Sequence, residues 1–185
     1  TLCCLRSAST TMRWMWIDRI VEFEPERRMV AVKNVSLAEE HLHDHFAASG
    51  ECDALPIMPT SLIIEGMAQT AGVLVGSVNG FREKVILAKI NQATLDADVF
   101  PGQTIRYDAS IERIDAGGAS TIGTVQRRSN GTDDDTWTTI GRIELMFSHV
   151  DNNMAGVEFP EENFVFSDNF RTILRTAGLE HLAAD

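Results

Sequence analysis

Cysteine is scarce in this sequence, and its positions form no framework. The chain of 185 residues has three cysteines, Cys3, Cys4 and Cys52, and two of them are adjacent. A small secreted fold held together by disulfides needs an even, regularly spaced set of cysteines. That class is therefore excluded, and we expect a protein of the reducing cytoplasm.

Basic residues are also few. The chain has 16 Lys and Arg against 27 Asp and Glu, which gives a formal net charge of −11. Nucleic-acid binding requires a basic footprint, and an anionic membrane surface attracts polybasic segments. We therefore expect neither nucleic acid nor a membrane surface as a partner.

Long uninterrupted apolar runs are absent as well. The longest apolar stretch, residues 62–78, contains Glu65, Gln69 and several glycines. A span across a bilayer needs about 20 predominantly apolar residues. The overall hydrophobic fraction of 44% is ordinary for a globular protein. This stretch is predicted to be a buried core helix and not a membrane anchor.

Hydrophobic periodicity predicts one long helix among six strands. Two strands, at about 17–23 and 29–35, flank a turn that contains Pro25. Four more strands are predicted at 85–93, 104–114, 120–128 and 136–150, and the helix is predicted at 60–77 with Thr60 or Ser61 as its N-cap. The helix is apolar nearly all round, so other structure must wrap it. We expect an α+β fold in which a curled antiparallel sheet surrounds one central helix.

The domain organisation is predicted as one domain with two extensions. Residues 1–11 form an N-terminal extension, residues 12–150 the domain, and residues 151–185 a C-terminal extension. Ser167 and Asp168 can cap a helix in that extension, with an apolar face of Phe170, Ile173, Leu174 and Ala177. We expect this helix to pack on the sheet or on a neighbouring protomer, with a lid over the site as the alternative.

Glu65 is the only charged side chain between Ala54 and Phe81. A carboxylate in apolar surroundings costs on the order of several kcal/mol of desolvation unless it is paired or protonated. One interpretation is structural, with Glu65 satisfied by Gln69 one turn later or placed at a subunit boundary. The other is functional, with Glu65 as a general acid.

Three histidines, His41, His43 and His45, recur at a spacing of two. On a strand this spacing would align three imidazoles on one side, as a metal site requires. No second cluster of ligands completes a coordination sphere, so we predict no metal. His45 stands apart because the Pro56–Pro59 turn places it just upstream of the helix that carries Glu65.

Trp14 and Trp16 lie close to the first predicted strand. Large aromatic side chains contribute heavily to core packing. We expect the two tryptophans to cover the central helix, and a stacking platform for a ligand is the alternative.

Several motifs occur together in the order found in one known family. They are Asp18-Arg19-Ile20, Val32-Lys33-Asn34-Val35-Ser36, His45-Phe46, Pro56-Ile57-Met58-Pro59, Leu62-Ile63-Ile64-Glu65-Gly66-Met67-Ala68-Gln69 and Pro101-Gly102-Gln103. Over about residues 13–149 the chain resembles the β-hydroxyacyl-(acyl carrier protein) dehydratase family. The resemblance implies a hotdog fold, which agrees with the architecture expected from the hydrophobic pattern.

The resemblance also implies an activity without a cofactor. His45 matches the catalytic histidine of the family and Glu65 its catalytic carboxylate, contributed in such dimers by opposite protomers. The implied reaction converts a 3-hydroxyacyl thioester into the trans-2-enoyl thioester in fatty-acid-type synthesis. A neutral histidine suits removal of the α-proton, and a protonated carboxyl suits departure of hydroxide. The substrate-binding residues expected are Phe46, Met58, Pro59, Thr60, Ser61, Leu62 and Gln69, with backbone N–H groups near Thr60 and Ser61 as donors to the thioester oxygen.

One segment and two single residues depart from the family pattern. Residues 47–55 lengthen the link after Phe46 and lack the usual Pro-Gly, while Thr60 and Asp44 each stand where a glycine is usual. Two alternatives to the dehydratase therefore stay open. One is a hotdog acyl-CoA thioesterase, in which Glu65 activates water, and the other is a non-catalytic acyl-thioester-binding subunit.

The implied partners are an acyl thioester and further copies of the chain, as a homodimer or a trimer of dimers. The thioester is carried by acyl carrier protein or by CoA. Because acyl carrier proteins are acidic, a chain of net charge −11 needs a local basic rim to dock one. The candidates for that rim are Arg82, Lys84, Lys89, Arg127 and Arg128.

Overall fold

The computed structural model describes residues 14–131, 136–150 and 168–183. Six strands occur in the described residues: β1 (Arg19–Glu24), β2 (Arg28–Asn34), β3 (Val85–Leu95), β4 (Gln103–Asp115), β5 (Gly118–Ser129) and β6 (Thr138–His149). The helices are α1 (Glu40–Asp44), α2 (Thr60–Val78) and α3 (Asp168–Thr176), and a 3-10 turn follows at Glu180–Ala183. The predicted strands and the predicted long helix are all present, with ends that differ by a few residues.

The six strands form one antiparallel sheet in the order β1-β2-β4-β5-β6-β3. Helix α2 contacts every strand from β2 to β6. The sheet therefore curls around the helix, and the α+β hotdog architecture is confirmed. Strand β3 is the last strand in this order. It pairs with β6 along one edge, and its other edge pairs with no strand of the described residues.

Helix α2 is the centre of the core. It is long and apolar enough to span a membrane by length and composition, but 67% of its apolar stretch is buried inside the protein. Its fully buried side chains include Met67, Ala71 and Leu74. The prediction of a buried core helix is therefore confirmed.

The predicted capping of α2 by the hydroxyl of Thr60 or Ser61 is wrong. The helix begins at Thr60, and its N-cap is the preceding residue, Pro59, with no side-chain cap hydrogen bond. The Pro59 carbonyl accepts hydrogen bonds from the N–H groups of Leu62 at 2.9 Å and Ile63 at 3.2 Å. Proline suits a helix start because its ring fixes φ and no donor is needed there.

The C-terminal helix α3 packs on the sheet. It contacts β1, and its Ile173 and Leu174 are buried. Of the expectations for this segment, packing on the sheet is the one seen. The predicted cap residue Ser167, residues 151–167 and the extension at 1–11 lie outside the described residues, so the domain boundaries stay predictions.

Gly66 allows strand β4 to lie close under α2. Tyr107 of β4 is completely buried, and a Cβ atom at position 66 would lie 2.3 Å from its hydroxyl oxygen and 2.4 Å from Cζ. Such distances are far inside van der Waals contact. The close approach of helix and strand next to Glu65 therefore depends on the absence of a side chain at position 66.

We expect Gly66→Ala to lower the free energy of unfolding by about 2 kcal/mol or more, because overpacking outweighs the gain in helix propensity. Urea unfolding followed by circular dichroism measures the change. Gly72→Ala is the matched control on the same helix, since a Cβ there meets Phe147 at an ordinary 3.5 Å. The control should be neutral or stabilising by up to about 1 kcal/mol. Equal effects of the two variants would contradict this account.

Candidate active site

Glu65 lies in the second turn of α2 with its side chain half-buried. One of its carboxylate oxygens, Oε1, accepts two hydrogen bonds. The donors are the Gln69 amide, Nε2, at 2.9 Å and the Trp14 indole, Nε1, at 3.2 Å. The expected contact with Gln69 is confirmed, and the second donor comes from a residue 51 positions earlier.

Gln69 ties residues 14–16 to the central helix. The side chain is only 7% exposed. Its Oε1 accepts the backbone N–H of Trp16 at 2.8 Å, and its Nε2 also donates to the Trp14 carbonyl at 3.1 Å. A buried amide with these partners is well satisfied. Because both ends of the amide already bond within the protein, these contacts give no support to the expected role of Gln69 in substrate binding. That role stays a prediction.

The two tryptophans differ in their surroundings. Trp16 is buried, and its ring meets Trp14 edge-on at 5.4 Å and His41 edge-on at 5.0 Å. Trp14 is 52% exposed. The expected cover of the helix therefore applies to Trp16, whereas Trp14 contributes its indole N–H to Glu65. No sequence spacing points to that contact, since it joins a residue before β1 to the core helix.

The three histidines lie on a helix and its cap, not on a strand. His41 and His43 belong to α1, and His45 is its C-cap, with its N–H bonded to the His41 carbonyl at 3.1 Å. Residues two apart on a helix point in different directions. The three-imidazole alignment considered for a metal is therefore wrong. No group of three or more His, Cys, Asp or Glu side chains suited to a metal occurs in the described parts of the chain.

Helix α1 is anchored to β2 through charged and buried groups. Lys33 of β2 is buried and pairs with Glu39, and Asp18 lies 3.7 Å away from its Nζ. His41 Nε2 lies 3.6 Å from the Glu39 carboxylate. Burial lowers the pKa of His41, which favours its neutral form. These contacts fix helix α1, whose C-cap is His45.

His45 is exposed, and its ring meets the ring of Phe46 edge-on at 4.4 Å. Both His45 and Glu65 lie in described residues, and no hydrogen bond or ion pair joins them within one chain. Phe46 is exposed too. One chain therefore presents the two expected catalytic groups without direct contact between them.

The lengthened link at residues 47–55 closes on itself. Ser49 and Cys52 exchange two backbone hydrogen bonds of 3.1 and 3.0 Å around Gly50, which has φ +61°. The N–H of Leu55 then bonds to the Phe46 carbonyl at 3.0 Å. The extra residues therefore form a small hairpin, and the chain returns to the position it left at Phe46. Cys52 is exposed and forms no disulfide with another described residue.

A cavity of about 180 Å³ opens at the start of α2. It is lined by Met58, Thr60, Ile63 and residues 95–98. The backbone N–H groups of Thr60 and Ser61 have no hydrogen-bond partner among the described residues. First-turn N–H groups of a helix are suited to stabilise a developing oxyanion. Thr60, which lines the cavity, therefore brings one of these donors to it, and Ser61 is the next residue of the helix.

The cavity includes only some of the expected substrate-binding residues. Met58 and Thr60 line it, whereas Phe46, Pro59, Ser61, Leu62 and Gln69 do not. Their roles stay predictions. Leu95, Asp96, Ala97 and Asp98 line it without having been expected. Leu95 ends β3 and the other three follow it, and only the pairing of distant segments brings them beside the helix start.

The five basic residues expected to form a rim do not form one patch. Arg127 bonds to the Asp98 carbonyl beside the cavity, and Arg128 lies over the Trp137 ring at 4.7 Å. Arg82 follows the other end of α2, a helix of 19 residues and therefore about 28 Å long. Lys84 is buried, and Lys89 lies on the exposed edge strand β3. Only Arg127 and Arg128 lie at the end of the sheet where the cavity opens.

A solved structure with a similar fold is an acyl-CoA hydrolase from Agrobacterium tumefaciens. It aligns with a TM-score of 0.52 and 16% identity, over 71% of this chain and 46% of the hydrolase chain. The aligned part is thus about half of that protein. At this identity the likeness supports the hotdog fold alone.

The relatives found by sequence have a higher identity to this chain than that hydrolase has. A 3-hydroxyacyl-(acyl-carrier-protein) dehydratase FabZ from Symbiobacterium thermophilum is 39% identical over 99 residues, covering 53% of this chain and 66% of the relative. One from Chloroflexus aggregans is 37% identical over 121 residues, covering 65% of this chain and 77% of the relative. The family model of the FabA-like domain matches residues 10–135, which include both His45 and Glu65. The chain therefore belongs to the FabA-like domain family.

Proposed function

We propose that this protein removes water from a 3-hydroxyacyl thioester to give the trans-2-enoyl thioester, as a step of fatty-acid-type synthesis. The observation that carries the proposal is the single carboxylate of an otherwise uncharged core helix, which two N–H donors hold at one oxygen. The names of the sequence relatives support the same reaction. No cofactor is needed for this chemistry.

The proposed reaction uses two proton transfers. His45, as the neutral imidazole, takes the proton from C2, and the electron pair forms the C2–C3 double bond. The C3–O bond breaks, and Glu65, in its protonated form, gives its proton to the departing hydroxide to make water. The N–H groups of Thr60 and Ser61 stabilise negative charge on the thioester oxygen. Transfer of the proton from His45 to Glu65 through solvent restores the starting state.

The complete site is proposed to form between two copies of the chain. Strand β3 pairs only with β6 among the described residues, and its residues 87–94 are exposed, including the apolar Leu87 and Ile90. An exposed, partly apolar strand edge is a template for pairing with another strand. A homodimer joined at β3 would cover this edge and bring His45 of one copy to Glu65 of the other. Assembly into a trimer of dimers is part of the same proposal.

The decisive experiment is incubation with 3-hydroxyacyl thioesters of several chain lengths, followed by chromatography of the products. Appearance of the trans-2-enoyl thioester supports the proposal. Release of free thiol without an enoyl product would instead identify a thioesterase. Binding without turnover would identify a non-catalytic acyl-thioester-binding subunit. The assay is run with matched carrier-protein and CoA thioesters.

The cytoplasm is the proposed compartment of this reaction.

Acyl carrier protein is the proposed carrier, with Arg128 as part of its docking surface. We expect Arg128→Glu to raise KM for a carrier-protein thioester by about tenfold and to leave KM for an uncharged pantetheine thioester nearly unchanged, since rim charges act mainly on encounter with a charged partner. Steady-state kinetics at low and physiological salt measure both values.

Arg82→Glu is the matched control for that prediction, because it makes the same charge change at the far end of α2. It should leave both KM values close to those of the wild type. An equal rise in KM for both variants would show a general effect of net charge. That result would contradict a docking role for Arg128.

A further inference from the structure

We propose that Trp14 is a positioning residue for Glu65, and that it determines which carboxylate oxygen carries the transferred proton. This inference rests on the proposed function, since it assigns the geometry of the general acid. The basis is the convergence of two donors, the Trp14 indole and the Gln69 amide, on the same oxygen, Oε1.

A carboxylate oxygen accepts hydrogen bonds through its two lone pairs. The donors at 2.9 and 3.2 Å engage both lone pairs of Oε1. A proton placed on Oε1 would face two N–H groups and would break at least one of these bonds. The neutral acid therefore carries its proton on Oε2, the oxygen to which neither donor bonds. With Gln69 alone, one lone pair of Oε1 would stay open to the proton.

Trp14 is held firmly enough to act in this way, although its side chain is half-exposed. Its carbonyl accepts the Gln69 amide at 3.1 Å, and the N–H of Trp16 donates to Gln69 at 2.8 Å. Its ring meets Trp16 edge-on at 5.4 Å. The backbone that follows the indole is therefore fixed at two points, the Trp14 carbonyl and the Trp16 N–H. Phenylalanine would keep the aromatic packing but could not donate to Glu65.

The kinetic test is Trp14→Phe, which removes the donor and keeps an aromatic ring. We expect kcat to fall by about tenfold, with KM changed by less than about twofold, because proton delivery is affected and substrate binding is not. Trp137→Phe is the matched control, since Trp137 lies against Arg106 and Arg128 and away from Glu65. It should retain wild-type kcat.

A second test needs no substrate. The chain has three tryptophans, so the wild-type protein gives three indole signals in an ¹⁵N–¹H spectrum, and the Trp14 signal is the one lost in Trp14→Phe. Glu65→Gln should shift that signal and leave the Trp137 signal in place. An unmoved Trp14 signal, or wild-type kcat in Trp14→Phe, would overturn the proposal. A shifted signal in a protein without dehydratase activity would instead reject the proposed function and retain the contact.

Discussion

Glu65→Gln is expected to lower kcat for dehydration by about 10²–10⁴-fold, the usual contribution of a positioned general acid. Glutamine has nearly the same size and keeps an oxygen that accepts from Trp14 and Gln69. Its amide cannot supply an acidic proton to the departing hydroxide. The loss should therefore fall on kcat, while circular dichroism and the thermal midpoint stay close to those of the wild type.

Glu112→Gln provides the control for this variant. Glu112 lies on β4 with an exposed side chain, so the same chemical change is made away from the cavity. Its kcat should match that of the wild type. Dehydration by Glu65→Gln at the wild-type rate would eliminate Glu65 as the acid and, with it, the proposed mechanism.

His45→Ala is expected to reduce kcat by a similar factor, because it removes the base that takes the C2 proton. His45 is exposed at the end of α1, so added imidazole can reach the space left by the side chain. Partial recovery of the rate with imidazole is therefore expected. His43→Ala, also exposed and on the same helix, should have wild-type activity and no response to imidazole.

Mixing the two inactive variants tests whether a site is shared between copies. In a random mixture of His45→Ala and Glu65→Gln subunits, about half of the dimers are mixed, and each mixed dimer has one intact pair out of two. The mixture should therefore recover about a quarter of wild-type activity after refolding together. A mixture as inactive as its components would show that both groups act from the same chain.

The architecture was open to prediction because hydrophobic patterning determines it. A helix that is apolar nearly all round, as in residues 60–78, requires a sheet that wraps it, and the alternating strands supply that sheet. Glu65 was identifiable for a related reason. A lone charge in such a helix needs either a partner or a function, and in the structure its partners include Gln69.

The parts that were missed depend on contacts between distant segments or on subtle local geometry. The donor from Trp14 to Glu65 and the lining of the cavity by Asp96 and Asp98 join residues that no periodic pattern relates. The histidine spacing was ambiguous because a short helix and a strand both accommodate it, and the turn into α1 decides between them. The N-cap of α2 was predicted wrongly because Pro59, and not a residue with a hydroxyl side chain, precedes the first helical residue.

With a site shared between two copies, as proposed, the open edge of β3 would also make turnover depend on the abundance of the chain. If complete sites exist only where two edges are paired, their number follows the dimer concentration, which mass action sets. Below the dissociation constant, halving the amount of protein removes more than half of the working sites. A strand with one unpaired edge in the single chain would thus make the rate of product formation rise more steeply than the amount of protein.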